Sequence, residues 1–290
     1  MDGILIINKP KNYTSHDIVY KVKNIVNEKV GHTGTLDPLA TGVLPLLIGK
    51  GTLCSKYLIN HDKTYQVELK LGEKTTTADS EGELVEEKDV LPEMLEEDKV
   101  KQVLKTFLGK QSQIPPIYSA IKVNGKKLYE YARNNQEVEI KSRNIEIYII
   151  KLIKIYKKEK IVKFEVKCSK GTYIRSLCED IAQRLNTVGY MYNLNRIQVG
   201  DFDISNAINI EEIQESENPK EILEKRLITI EEIFDSKENI ELNERKLRLF
   251  LNGVKLTYNK PDETYKIYNK NKFIGTGIVK NNLLKRDIVI

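Results

Sequence analysis

A chain of 290 residues, 40% of them hydrophobic, can bury one large domain, or one domain and a small satellite. Its longest apolar run near the N-terminus, residues 4–7, is too short for a signal peptide or a membrane span, which predicts a cytoplasmic protein with no membrane contact. The net charge of +5 is uneven. Residues 99–175 carry 19 Lys/Arg against 6 Asp/Glu, a net +13 that suits a polyanion, although a plain lysine-rich surface would count the same.

Residues 2–7 predict a short strand, ended by Asn8-Lys9-Pro10. Thr14 or Ser15 can cap the next helix, with Asp17 in its first turn and Ile18, Val19, Val22, Ile25 and Val26 as its buried stripe. His16, at its start, suits a surface or capping position. Residues 29–52 then hold five of the sixteen glycines and two of the eight prolines around a single acid, Asp37. They read as a shaped loop presenting Asp37, followed by a buried strand at 43–48; the plainer alternative is that Asp37-Pro38 merely starts a turn.

Residues 65–71 alternate, with Tyr65, Val67, Leu69 and Leu71 on one face. Residues 78–98 are acidic and predict a solvated connection. The helix it leads into buries Val100, Val103, Leu104, Phe107 and Leu108 and is closed by Gly109. In residues 113–133, Pro115-Pro116 forbids a helix and Asn124-Gly125 signals a tight turn. Lys122, Lys126, Lys127, Tyr129, Tyr131 and Arg133 interleave cations with rings, as an RNA-contacting hairpin needs; an amphipathic helix packing its tyrosines is the alternative.

Residues 145–156 and 161–167 read as strands, and Gly171 as a turn. A helix follows with Ile174, Leu177, Cys178, Ile181 and Leu185 inward. Arg175 sits in its first turn, where the helix dipole disfavours a cation. It therefore needs a partner or a role, the simplest partner being Glu179 one turn on. INIEEI at 208–213 echoes ITIEEI at 228–233 as capped helical turns. An apolar segment at 247–256 and strands at 264–268, 273–279 and 283–290 suggest a small β-barrel.

Cys54, Cys168 and Cys178 are scattered, and His16, His32 and His61 form no metal-ligand spacing, so neither disulfides nor a metal site is expected. Without a phosphate-binding G-x-x-x-x-G-K-[ST] or a full G-x-G-x-x-G, nucleotide hydrolysis and nicotinamide or S-adenosylmethionine chemistry lose support; no cofactor is expected.

Lys9-Pro10, T-S-H-D at 14–17, G-H-T-G-T-L-D-P-L-A-T-G at 31–42, K-T-Y at 63–65, Q-I-P-P-I-Y-S-A at 113–120, G-K-K-L-Y-E-Y-A-R at 125–133 and S-K-G-T-Y-I-R at 169–175 together resemble the bacterial TruB family. Its members are tRNA pseudouridine synthases acting on the uridine at tRNA position 55. The resemblance covers most of residues 1–205 and is weaker over the last 50. It implies an α+β pseudouridine synthase fold, with a central mixed, mainly antiparallel sheet flanked by helices and a C-terminal PUA-like β-barrel. The implied division is a catalytic domain over 1–236, with an RNA-clamping insertion at about 113–141, and an RNA-binding domain over 237–290.

The resemblance also assigns Asp37 as nucleophile, places Tyr65 against the target base and sets Arg175 near Asp37. It gives His32 a part in positioning flipped bases, Lys9 a place supporting the active-site wall, and RNA contacts to Lys9, Lys122, Lys126, Lys127, Tyr129, Arg133 and Tyr173. The implied partner is the tRNA T stem-loop, bound by a monomer needing no other protein. One segment departs from the family: G-A-H-x-x-x-L-R-R near 190 is here G-Y-M-Y-N-L-N-R, which keeps Gly189, Leu194 and Arg196 but not the histidine.

The chemistry suits these residues. Forming pseudouridine breaks the N1–C1′ bond, turns the uracil and rejoins it through C5, with no redox change. One carboxylate can add to C1′ or C6, or assist glycal formation. A guanidinium beside it offsets the burial that would protonate it. The target base must leave its loop, at a cost of a few kcal/mol. Two rival readings are a guide-RNA-dependent, dyskerin-like synthase and a non-catalytic RNA-binding or RNA-folding protein.

Overall fold

The computed structural model describes residues 1–134 and 136–290. Asn135, inside the 113–141 segment, lies outside the described residues.

The first strand, β1 (Gly3–Lys9), alternates between two cores. Leu5 and Ile7 meet α1 (Ser15–Val26), while Ile4 and Ile6 meet the C-terminal part of the chain. Thr14 caps α1 reciprocally with Asp17, and Asn27 ends it in the left-handed conformation at φ 54°. Next come β2 (Thr41–Ile48), antiparallel to β1, and β3 (Lys63–Leu71), whose Tyr65, Val67, Leu69 and Leu71 are buried.

The helix after the acidic stretch is α2 (Glu97–Lys105), and Gly109, at φ 89°, opens strand β4 (Gly109–Gln113) rather than capping that helix. Thr106 ends α2 in ordinary helical geometry, so no left-handed residue is needed there. Beyond it lie α3 (Leu128–Arg133), β5 (Arg143–Tyr156), β6 (Ile161–Cys168), α4 (Ile174–Arg184) and β7 (Gly189–Val199).

The central sheet runs Ile208–Asn209, β1, β2, β7, β3, β6, β5, β4. Its pairs are antiparallel except Ile208–Asn209 with β1 and the short β2–β7 contact. Helices α2 and α4 cover one face through Val100, Val103, Leu104, Leu177, Cys178 and Ile181. The repeated INIEEI and ITIEEI each add a two-residue strand to β1, parallel at Ile7–Ile208 and antiparallel at Ile4–Ile228, before turning into a short helix.

The apolar stretch near 247 is mainly α5 (Glu244–Leu251). It packs on a five-stranded sheet of Asn239–Glu241, β8 (Thr264–Asn269), β9 (Lys272–Lys280), β10 (Leu283–Val289) and Leu256–Thr257. Phe273 and Ile288 of that sheet share a core with Ile4, Ile6 and Leu58, which seats it on the central sheet. Asp287 reinforces the seat, its carboxylate meeting Lys56 and the Tyr57 hydroxyl.

The β2–β7 contact lies just after the Asp37 loop. Only two residue pairs form it, Thr41–Asn195 and Gly42–Arg196. Gly42 has φ 107°, and a Cβ there would lie 2.2 Å from the Arg196 carbonyl oxygen. Gly42→Ala combines backbone strain with overpacking and should lower stability by about 2–4 kcal/mol, read as a shift in denaturant midpoint.

Candidate active site

The Asp37 loop is anchored by its neighbours. Leu36 and Leu39 are buried in the main core on either side of it. Ser15, in the first turn of α1, both accepts from Leu36 N–H at 2.9 Å and donates to Leu36 O at 3.1 Å. Lys9 is fully buried, and its Nζ donates to Pro10 O, Tyr13 O and Pro38 O at 2.9, 2.6 and 3.2 Å. Its three protons are thus spent on carbonyls, one of them next to Asp37. Lys9 therefore offers no exposed surface for the RNA contact expected of it. Burial pulls its ammonium down to about 8, against the pull of Asp37 in the other direction.

Asp37 itself keeps 34% of its side chain exposed. Arg175, near the start of α4, sets its Nε 3.2 Å from Asp37 Oδ2 and its Nη1 3.4 Å from Asp79 Oδ2. Nη1 also donates to Thr77 O at 3.3 Å, and Nη2 to Tyr118 O at 3.0 Å. The cost of a cation at a helix start is met by two carboxylates and two carbonyls, and Glu179 pairs with Lys74 at 3.7 Å instead. Burial raises the Asp37 carboxyl above its ordinary range, Arg175 opposes this, and Asp79 adds to the rise.

Asp79 corrects the reading of 78–98 as wholly solvated. It is 4% exposed, and its Oδ1 accepts from the Thr77 hydroxyl and, at 3.1 Å, from Glu81 N–H. Ala78 before it has φ 60°, an unusual conformation for alanine, and its carbonyl accepts from Met191 N–H at 3.1 Å. The acidity of the surrounding stretch hides this turn. The one local signal is the threonine run at 75–77 ahead of a lone aspartate, since hydroxyls can satisfy a buried carboxylate.

A cavity of about 750 Å³ opens in front of this group, lined by Asp37, Tyr65, Tyr129, Tyr173, Arg175 and Arg196 among others. Tyr65 is 8% exposed, and burial pushes its phenol up while the Arg196 guanidinium opposes the rise. Arg196 is itself buried, donating from Nε to Val43 O at 2.8 Å and from Nη2 to Gly34 O at 2.9 Å. The residue kept in the divergent segment near 190 therefore ties β2, β7 and the loop that carries Asp37 together. Tyr173 is held through its backbone by the buried Gln113 amide, at 2.8 and 3.0 Å.

The basic segment holds both a hairpin and a helix. Lys122–Val123 and Lys126–Lys127 pair around Asn124 and Gly125, at φ 50° and 83°, and the chain then turns into α3. Leu128 is buried and fixes the junction. Lys127 and Arg133 stack on the Tyr129 ring at 5.3 and 5.4 Å, and Lys126 on Tyr131 at 5.9 Å. Of the predicted RNA contacts, Tyr129 and Tyr173 line the cavity; Lys122, Lys126, Lys127 and Arg133 stand outside its lining. His32 also lies outside it, with burial lowering its pKa and Nδ1 unpaired among the described residues.

The N-terminal-domain model of the TruB family pseudouridylate synthases matches residues 22–174, and the C-terminal-domain model of tRNA pseudouridylate synthase B matches residues 175–250. The chain belongs to the TruB family. The seam between the TruB segments falls between Ile174 and Arg175, so the pairing of Arg175 with Asp37 joins them.

Among curated relatives, the tRNA pseudouridine synthase B of Clostridium kluyveri is 43% identical over 289 residues, covering 97% of this chain and 96% of that one. Its counterpart in Caldanaerobacter subterraneus subsp. tengcongensis is also 43% identical over 289 residues, covering 98% of each. Among solved structures, a Cbf5–Nop10–Gar1 complex superposes with a TM-score of 0.68 at 25% identity, covering 99% of this chain and 83% of that one. An H/ACA RNP bound to a substrate RNA containing 2′-deoxyuridine matches equally, at 0.68 and 22%, over 99% and 85%, and is similar in fold. The C-terminal sheet thus belongs to a TruB-type architecture with a PUA-like end. Among the described residues no helix is long and apolar enough to cross a membrane.

Proposed function

We infer that this chain isomerises the uridine at position 55, in the T stem-loop of tRNA, to pseudouridine, with Asp37 as the nucleophile. The supporting observation is the partly exposed Asp37 carboxylate, gripped by Arg175 in the wall of a nucleotide-sized cavity that also holds Tyr65. Among the described residues Asp37 is the one carboxylate in the cavity lining, and a carboxylate is nucleophilic in its ordinary ionised form, whereas the hydroxyls, phenols and ammonium groups around it must first lose a proton. Arg175 favours its charged form where burial disfavours it.

Tyr65 takes the stacking role. Burial makes its phenol harder to ionise, which suits a ring against uracil better than a base that removes the C5 proton. Tyr129 and Tyr173 offer further rings, and the cations over and around Tyr129 suit the phosphates of a splayed loop. Lys122, Lys126, Lys127 and Arg133 contact that RNA from outside the cavity, and His32 helps hold its flipped bases. Residues 1–236 form the catalytic unit and 237–290 an RNA-binding unit. The protein works in the cytoplasm as a monomer on bare tRNA.

The test is release of tritium from tRNA labelled at uridine C5, with a second tRNA whose target uridine is replaced by cytidine. No release from the first, without any added protein, would defeat this reading and favour a guide-dependent or purely RNA-binding one. In the same assay Tyr65→Phe should keep the rate within about tenfold of wild type, because the ring remains, while Tyr65→Leu should lose about 10³-fold.

A further inference from the structure

One irregularity aims the C-terminal sheet at the rest of the chain. Strands β9 and β10 pair Thr276 with Ile288 and Gly277 with Arg286, which leaves Asp287 with no residue opposite. Asp287 is the extra residue of a β-bulge, a distortion that interrupts the ladder and re-aims a side chain. The bulge turns it toward the helical turn Ser55–Leu58, between β2 and β3. Ile59, the next residue, lines the catalytic cavity.

The Asp287 carboxylate is 6% exposed and fully engaged. Its Oδ1 meets the Lys56 ammonium, and its Oδ2 accepts from the Tyr57 hydroxyl and, at 3.1 Å, from the Thr276 hydroxyl. Thr276 is itself fully buried, and its oxygen accepts from Ile288 N–H at 3.3 Å across the bulge. The Tyr57 ring stands edge-on to Phe234, with centroids 4.9 Å apart. The apolar part of this seat, Phe273 and Ile288 against Ile4, Ile6 and Leu58, favours contact but no particular angle. A buried carboxylate with three donors is satisfied in one arrangement only, so it sets the angle.

The charge distribution says what depends on that angle. Residues 237–290 carry 12 Lys/Arg against 6 Asp/Glu, a net +6, and residues 99–175 carry +13, although the whole chain carries only +5. The two basic regions lie on different sheets. A polyanion that touches both gains from the second contact only where their spacing is held. Resting on the reading of this chain as a tRNA isomerase with a C-terminal RNA-binding unit, we propose that Asp287 is a positioning residue. It latches the C-terminal unit at the one angle that lets a whole tRNA lie across both basic regions. A hairpin of the T stem-loop alone, held at the Asp37 cavity, does not need the latch.

The test compares whole tRNA with that hairpin, reading affinity by filter binding and turnover by tritium release. Asp287→Ala should weaken tRNA binding about tenfold and raise KM in step, with kcat and every hairpin constant within about twofold of wild type. Asp287→Asn still accepts from both hydroxyls and should stay within about threefold on tRNA. Tyr57→Phe should weaken tRNA alone by about threefold, and adding it to Asp287→Ala should change nothing further, because both act through one contact. Equal losses on tRNA and hairpin would make Asp287 a folding residue only and overturn the proposal, as would tRNA affinity untouched by Asp287→Ala. Wild type that held tRNA no better than the hairpin would remove the C-terminal unit from RNA binding, and the latch with it. Binding decides the latch independently of turnover: wild type that bound tRNA without releasing label would defeat the isomerase reading alone.

Discussion

Asp37→Asn should lower tritium release from labelled tRNA by at least about 10⁴-fold, while tRNA affinity stays within about threefold of wild type. Asparagine fills the same space beside Arg175 but cannot form or leave a covalent bond to the sugar or ring as a carboxylate does. Arg175 keeps Asp79, Thr77 O and Tyr118 O, so no buried charge is orphaned. The cations proposed to meet RNA are untouched.

Stability should not fall either, and its pH dependence gives an independent reading. The folded-state pKa of Asp37 is raised above its ordinary value, so the folded protein holds that proton more tightly than the unfolded chain. Its contribution is full below the unfolded pKa and is lost as pH rises through the folded one. Asp37→Asn should remove that loss, making the variant at least as stable as wild type at neutral pH. Normal tritium release by the variant would end the assignment; lost release together with lost tRNA binding would make Asp37 a binding residue only.

Arg175→Met is expected to damage both fold and reaction. It leaves Asp37 and Asp79 facing each other with no guanidinium between them, and frees the Thr77 and Tyr118 carbonyls. Removing one partner of a buried pair costs about 3–5 kcal/mol. Most of that belongs to the Asp79 side, because Asp37 is a third exposed and partly screened by solvent.

With its main opposing charge gone, the Asp37 pKa should rise further, and the limb along which activity grows with pH should move to higher pH. The residual rate at neutral pH should be about 10³-fold below wild type. Arg175→Lys should not rescue it, since one ammonium cannot span two carboxylates and two carbonyls as a fork does. Arg175→Met combined with Asp79→Asn separates the two effects: stability should largely return and activity should not. Denaturant melts and a pH–rate profile check both, and an unmoved acid limb in Arg175→Met would refute the role given to the guanidinium.

Local order was largely legible in the sequence. The capping box at Thr14 and Asp17, the alternation from Tyr65 to Leu71, the Asn124-Gly125 turn and the inward stripe of α4 all depend on residues within a few positions of one another. Even the misplacement of Arg175 at a helix start was a readable clue, because it is a local cost with no local compensation. One misreading is local as well: Gly109 reads as a helix cap but opens a strand, since a left-handed glycine serves either use.

The partners of the charged groups are another matter. Asp79 lies 96 positions from Arg175, Lys9 lies 29 from Pro38, and Arg196 lies 162 from Gly34. Sheet order sets these distances in space. β7 slots between β2 and β3, bringing Arg196 within reach of Gly34 ahead of Asp37, and Asp79 bridges to Met191 of the same strand, which carries it to the site. The amino-acid sequence determined which side chains could do the chemistry and how each short stretch would fold. Tertiary structure decided which buried charges meet, because the free energy of a desolvated carboxylate depends on groups that only the packed sheet brings within a few ångströms.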